Sequence, residues 1–417
     1  MNDETTGPAT DGARPLSAEH LVCPFDVDSR LRAEAPVYHE PVDDIWVVSR
    51  YDDVQDALRR PEVFSNRFGR IIRSRDRLPA EALEILAEGW APVDTLFTTD
   101  PPEHRRFRSL VSKAFTPRRV DGMAAGIDET ARTLLADVLS AASPVDIVSA
   151  YAAPLPMIVI ADQLGVSRDD LALFSQWSRA VVNELSRLAT PEQQIDAARA
   201  CVAFQHYFHE RIGERRSVPA DDMLSDLVHA ETVDDRPLDD AELLMMLQQL
   251  LVAGNETTTN GIASGIWRLA TDGDLQRDLR AEPASLEGFV EEILRLEAPI
   301  QGMWRVMAAE ATLGGVTIPE GAVVMLRYGS ANRDEGHYDA PAHLDPVRAN
   351  PRDHLAFGGG LHFCIGAALA RSEMQIAFAR LLEATSRIAL APGVEVEHGP
   401  HLLIRGIDSL PVVLEVA

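Results

Sequence analysis

Residues 357–371 read FGGGLHFCIGAALAR. Three glycines, Gly358, Gly359 and Gly360, precede Cys364, and an alanine- and leucine-rich run follows it at once. That run has helical composition, which places the thiol at a helix N-terminus, in a turn with free backbone N–H groups. Both features favour thiolate over thiol, and N–H donors aimed at a sulfur tune a metal bound to it. The glycines leave room for something flat to lie against the backbone. A free cysteine in an ordinary core behaves as a small hydrophobe. That description suits Cys23 and Cys201, which have no such surroundings, but it does not account for this loop.

The rest of the chain narrows the setting. It has 417 residues, 46% hydrophobic, with a formal net charge of −26. An acidic balance of this size argues against nucleic acid, whose binding rests on neutralising phosphates. The three cysteines fit neither a zinc spacing nor a disulfide framework, which points to a reducing cytoplasmic setting. The start, MNDETTGPATDGARP, is polar and acidic and lacks the basic and apolar regions of a signal peptide. No run of about 18 apolar residues occurs, so no membrane span is expected. The expected organisation is a disordered tail over 1–17 and one domain over 18–417.

Helical periodicity dominates, with helices expected near 125–141, 168–187, 191–216, 240–270, 285–297 and 365–384. Strand-like pieces are few: Ile45–Ser49, Thr312–Ile318, Val323–Leu326 and Leu402–Ile404. Irregular chain fills 334–363. The fold class is therefore mainly α with small β-sheets. The helix expected over 240–270, capped by Asp239 or Asp240 and ended at Asp272-Gly273, would be roughly 45 Å long and must cross the body of the domain. Its first turns are apolar nearly all round, yet midway it reads LLVAGNETTTN (residues 250–260). Buried polar groups must be paired or face a cavity. The choice is between threonines bonded back onto their own helix and a functional break.

The loop at 357–366 resembles the haem-binding loop of cytochromes P450, F-G-x-G-x-H-x-C-x-G followed by an alanine-rich helix. The resemblance runs from about Pro36 to the end and is greatest to the soluble bacterial class. Cys364 would be the lone protein ligand, with haem b supplying the rest of the iron's coordination. Glu292 and Arg295 match the family's E-x-x-R pair, joined by Arg348 in a structural charge network. Leu344 stands where phenylalanine is usual before Asp345. His104 and Arg108 share a helix face; with Arg305 and His362 they match contacts to the haem propionates. Phe357, Gly358, Ala253 and Gly254 would also border the haem, which would lie between the long helix and the cysteine loop.

The resemblance gives the polar break a function. Gly254 would leave space for dioxygen, while Thr257 and Glu256 would bond and protonate it as the O–O bond breaks. The implied activity is a monooxygenase placing one oxygen atom in a hydrophobic steroid, terpenoid, fatty acid or aromatic compound. By position, its pocket would use Leu96, Phe97, Val252, Met303, Leu403 and Ile404. Electrons would come from NAD(P)H through a ferredoxin reductase and an acidic ferredoxin, docking on a basic face with Arg105, Arg106, Lys113, Arg118, Arg119 and Arg352. Arg67, Arg70, Arg73, Arg75 and Arg77 form either a solvated loop or a partner for an anionic substrate group. Two alternatives stand beside this reading: an interaction domain without chemistry, and the same haem fold driven by peroxide or isomerising its substrate.

Overall fold

The computed structural model describes residues 14–72, 78–185, 189–230 and 236–417. Of the tail expected over 1–17, residues 1–13 lie outside that range, whereas Leu16 is buried with Leu21 and Leu31. The longest element, the central helix Asp240–Thr271, has 32 residues and spans about 48 Å. Local chemistry fixes both of its ends. Asp239 accepts from the Glu242 N–H at 2.9 Å, and Glu242 accepts from the Asp239 N–H at 3.1 Å, a reciprocal cap. Asp272 closes this helix and caps the next, Gly273–Ala281, by accepting from Leu275 N–H at 2.9 Å.

The apolar first turns are buried at Leu243, Leu244, Met246 and Leu247. Helices Pro154–Gln163, Leu171–Leu185, Leu286–Glu297 and Ala367–Ala384 pack around the central helix. Gly265 permits the tightest of these approaches, since a Cβ there would enter the Phe378 ring. Three small sheets flank the helices. The largest has the strand order Val37–Glu40, Ile45–Val48, Val323–Leu326, Met303–Met307, Phe64–Ser65, antiparallel except between the second and third. Val145–Asp146, Pro411–Val416 and Thr385–Leu390 form another. The stretch expected as one strand over Thr312–Ile318 is a hairpin, Ala311–Leu313 with Val316–Ile318. It turns at Gly314 and Gly315, whose φ values are 54° and 82°. Leu402–Ile404 is not a strand: only Ile404 pairs, in a single bridge to Ile300. The helix expected from 125 begins at Pro117, with the Thr116 side chain as its cap.

The irregular 334–363 chain is held by charge rather than by a regular ladder. Glu292, buried on Leu286–Glu297, accepts from Arg295 Nε at 2.6 Å and Nη2 at 2.9 Å, from Arg348 Nε at 3.0 Å, and from Asp345 N–H at 2.9 Å. Burial alone would raise this carboxyl; its bonds to Arg295, Asp345 and Arg348 hold it below the ordinary range. Arg295 also donates to the carbonyls of Asn332, Pro341 and His343, and Arg348 to those of Asp339 and His343. Leu344 packs against the main core. The neighbouring Glu291 does the same for the cysteine segment. It accepts from Arg371 at 2.7 and 3.0 Å and pairs with His354 Nε2 at 2.9 Å, and Arg371 stands 4.6 Å over the Phe357 ring. Sequence reading missed this second cluster, although two adjacent glutamates on an apolar helix each require a partner.

Removing one partner of a buried pair strands the other charge. Arg295→Ala is expected to cost about 3–5 kcal/mol. Arg348→Ala, whose side chain reaches the rim, is expected to cost about 1–3 kcal/mol. Denaturant midpoints of the two variants measure this order, and equal losses would contradict the network described.

Candidate active site

A cavity of about 480 Å³ lies between the central helix and the cysteine loop. Phe357, Gly358 and Cys364 form one wall, and Val252, Ala253, Gly254 and Thr257 face them. Leu96, Phe97, Met303, Leu403 and Ile404 close the sides, and His104, Arg108, Arg305 and His362 line one end. Every residue singled out for cofactor or substrate thus reaches the cavity, from six separate stretches of chain. Met303 and Arg305 do so together because they alternate along one strand, paired in register with Leu326 and Val324. The turn carrying Leu403 and Ile404 is shaped by His401. Its Nδ1 accepts both N–H groups at 3.0 Å, and its Nε2 donates to the Val182 carbonyl at 3.2 Å.

The cysteine loop closes on itself through Cys364 N–H to the Phe357 carbonyl at 3.0 Å. The following helix begins at Ala367, three residues after the thiol rather than directly. Gly358 and Gly360 have φ of 65° and 61°, in the left-handed region. A Cβ at Gly360 would run into the carbonyl of Leu58, so this glycine serves a backbone contact and not room for a ligand. Cys364 is half-buried, its sulfur on the cavity wall. Burial raises the thiol, while the N–H of Gly366, Arg108, Arg371 and the N–H of Ala367 pull it down; burial outweighs them. The helix-start effect expected from the sequence is present but insufficient alone. A metal ion taking the proton's place would complete thiolate formation.

The far end of the cavity holds polar groups waiting for a partner. Both ring nitrogens of His104 and Nε2 of His362 are buried without one, with the rings 4.2 Å apart. Burial, then His104, Arg305 and Arg108, push His362 down to about 3. Burial and Arg108 lower His104 against the pull of Asp100. Arg108 spends one N–H on the Phe363 carbonyl at 2.8 Å and Arg305 one on Trp304 at 2.7 Å. Four donors converging in this way fit an anion. Among the described residues, no group of three His, Cys, Asp or Glu is placed to hold a metal ion. A lone sulfur beside an anion cradle therefore fits an anionic cofactor that carries its own metal, as haem does.

On the facing wall, Thr257 donates to the Ala253 carbonyl at 2.7 Å, the back-bond that the sequence left open. Gly254 lines the cavity, but a Cβ there would meet Ile160 at 3.2 Å. Its missing side chain serves the approach of the neighbouring helix. Glu256 does not line the cavity and interacts instead with Ser178 and Arg179. Burial raises its carboxyl against the bond from Ser178 and the charge of Arg179. Asn255 donates to Ser178 at 3.2 Å. Of the arginines near 67–77, Arg67 pairs with Glu103 at 3.2 Å and Asp100 at 3.6 Å. Residues 73–77 lie outside the described residues.

A helical fold with a cavity between a cysteine loop and a polar-broken helix fits a haem–thiolate protein, and comparison specifies the family. The cytochrome P450 family profile matches residues 43–397. Cytochrome P450 107B1 of Saccharopolyspora erythraea is 40% identical over 377 residues, 88% of this chain and 89% of that protein. The vitamin D(3) 25-hydroxylase of Pseudonocardia autotrophica is 35% identical, over 94% of each chain. The solved structure of cytochrome P450 CREJ with (4-ethylphenyl) dihydrogen phosphate superposes with a TM-score of 0.90 at 29% identity, covering 97% of this chain and 99% of that one. This chain belongs to the cytochrome P450 family and is a monooxygenase of the soluble bacterial kind. Among the described residues no helix is long and apolar enough to cross a membrane.

One cavity residue gave no sequence signal. Glu373, on the helix after the cysteine, is fully buried with one oxygen unpartnered, and burial raises its carboxyl well above the ordinary 4.5. The stability this group permits is complete below its unfolded value. It is lost progressively as pH rises toward the folded value, because only the unfolded chain ionises freely. Glu373→Gln removes that dependence. Its stability relative to the wild type is expected to climb steadily from pH 5 to pH 8 in thermal melts. A difference that does not change with pH would contradict the assignment.

Proposed function

We propose that this P450 inserts one oxygen atom from dioxygen into a largely hydrophobic small molecule, typically as a hydroxylation, using NAD(P)H through a separate reductase and ferredoxin. The observation that carries the reading is the apolar chamber between the Cys364 wall and Thr257, closed by Leu96, Phe97, Met303, Leu403 and Ile404. The similar proteins named for vitamin D(3) hydroxylation and bound to an ethylphenyl phosphate support, among the steroid, terpenoid, fatty-acid and aromatic skeletons, the steroid-like and aromatic ones.

Haem b would be held through Cys364 and would supply the reductive activation of dioxygen. His104, Arg108, Arg305 and His362 would hold its carboxylates, and the N–H groups of Gly366 and Ala367 would steady the sulfur. Thr257 keeps an acceptor lone pair on the cavity wall while its proton rests on the Ala253 carbonyl. Glu256, whose raised carboxyl readily holds a proton, feeds that wall from behind by rotation or through water. The apolar sides exclude bulk water and orient the substrate carbon.

Thr257→Ala is expected to retain substrate affinity and NAD(P)H consumption but to lower product formed per NAD(P)H roughly tenfold. Glu256→Gln is expected to slow turnover about 100-fold. Measuring product and cofactor consumption together checks both; full coupling in Thr257→Ala would remove it from the proton path.

The basic docking face is smaller than expected. Arg106 turns inward to Glu242 at 2.7 and 3.1 Å, Arg119 pairs with Asp226, and Arg352 with Glu287. Arg105, Lys113 and Arg118 stay exposed, near the exposed Leu361 and Phe363 of the cysteine loop, which Arg108 ties to the same helix. This patch suits an acidic ferredoxin. Charge reversal at Arg105 or Lys113 is expected to slow haem reduction more at low salt than at high salt. Stopped-flow reduction rates test it, and a salt-independent effect would place docking elsewhere.

A further inference from the structure

Among the described residues, four side chains on the cavity wall carry buried polar atoms with no hydrogen-bond partner: His104, His362, Glu373 and Gln249. The two histidines belong to the anion end, and Glu373 sits on the helix after the cysteine. Gln249 is different. It lies four residues before Ala253 and eight before Thr257, on the same face of the central helix, about 12 Å along the axis from Thr257. Its Oε1 is thus a buried, unclaimed acceptor on a side chain that lines the chamber about two helical turns from Thr257.

Its neighbours sharpen the point. Gln205 is fully used, accepting from Trp90 N–H at 2.8 Å and donating to the Trp90 carbonyl at 3.1 Å. Gln248 points its amide at Cys201 Sγ, 3.9 Å away. Met245 and Met246 lie alongside, so the free carbonyl is set in a mainly apolar wall. A few placed polar groups in such a wall fix a ligand's orientation. Among the described residues the only arginines on the cavity wall are Arg108 and Arg305, both in the anion-binding cluster with His104 and His362. Among those residues, a carboxylate brought to Gln249 would meet a neutral amide and no cation of its own.

We propose that Gln249 is the polar anchor of the substrate. The substrate is a neutral alcohol on a hydrophobic skeleton, whose hydroxyl lies away from the oxidised carbon and donates to Gln249 Oε1. A hydroxyl also serves the flipped amide, because it accepts as well as donates. This inference rests on the monooxygenase reading of the same cavity and selects rigid steroid- or terpenoid-sized alcohols over fatty-acid anions.

The test uses the haem-loaded protein and matched pairs of probes: 5α-androstane with 5α-androstan-3β-ol, and dodecane with 1-dodecanol. Binding is read twice, by the spin-state shift of the Soret band and by equilibrium dialysis. At least one alcohol is expected to bind about tenfold more tightly than its hydrocarbon. Gln249→Leu is expected to abolish that advantage, and Gln249→Asn, one methylene shorter, to reduce it; an unchanged Soret spectrum shows that the variants fold. Equal affinities within both pairs, no binding of any probe, or a preference surviving in Gln249→Leu would overturn the proposal. Failure of the haem–thiolate reading is distinguishable: the reduced, carbon monoxide-bound wild type would lack its red-shifted band, while dialysis would still report the role of Gln249.

Discussion

Two adjacent carboxylates, Glu291 and Glu292, hold the functional half of this protein in place. The chain that presents Cys364 has few regular hydrogen bonds over 334–363, so secondary structure alone cannot position it. Glu292 gathers the 332–348 stretch through Arg295 and Arg348, and Glu291 gathers the cysteine segment through His354 and Arg371. Both act from one helix packed on the central helix. Burying these ions is costly, and the return is geometric specificity: paired charges admit few alternative arrangements. The position of the thiol relative to Thr257 is a consequence.

The cavity so defined has three chemically distinct regions. Its anion end carries two histidines without hydrogen-bond partners, its thiol wall carries a sulfur whose thiol form burial favours, and the stretch around Gln249 carries one amide oxygen without a partner. Each region is incomplete alone. A haem with two carboxylates and a ligand-accepting iron would complete the first two, and the alcohol proposed for Gln249 would complete the third. The central helix contributes to all of this because its polar residues divide between two faces. Thr257 and Gln249 face the cavity, whereas Asn255 and Glu256 turn to Ser178 on the neighbouring helix.

Much of this was legible in the sequence where the signal is local. The caps at Asp239 and Asp272 bounded the central helix to within a residue, and the glycines and cysteine of 357–366 marked the haem loop. What failed required tertiary knowledge. Met303 and Arg305 were singled out, yet the strand that carries them, Met303–Met307, is too short to show alternation. Leu402–Ile404 looked like a strand but is a turn fastened by His401. Gly360 read as room for a ligand, whereas the backbone carbonyl of Leu58 occupies that space. Arg106 read as surface charge but is committed to Glu242. Glu373 and Gln249 gave no signal, because burial and missing partners are properties of the folded cavity, whereas the signal at Glu291, a second glutamate on an apolar helix, was overlooked. Thr116-Pro117, by contrast, was a readable helix start that periodicity alone overlooked.

Cys364 is proposed as the protein's ligand to a haem in this cavity. The absorption spectrum of the reduced, carbon monoxide-bound protein, with Cys364→Ser prepared in parallel, reads that role. The strongly red-shifted Soret band of thiolate-ligated haem is expected in the wild type, and its loss in Cys364→Ser. Absence of that band from wild-type protein supplied with haem, or its persistence after the substitution, would rule out this role for Cys364.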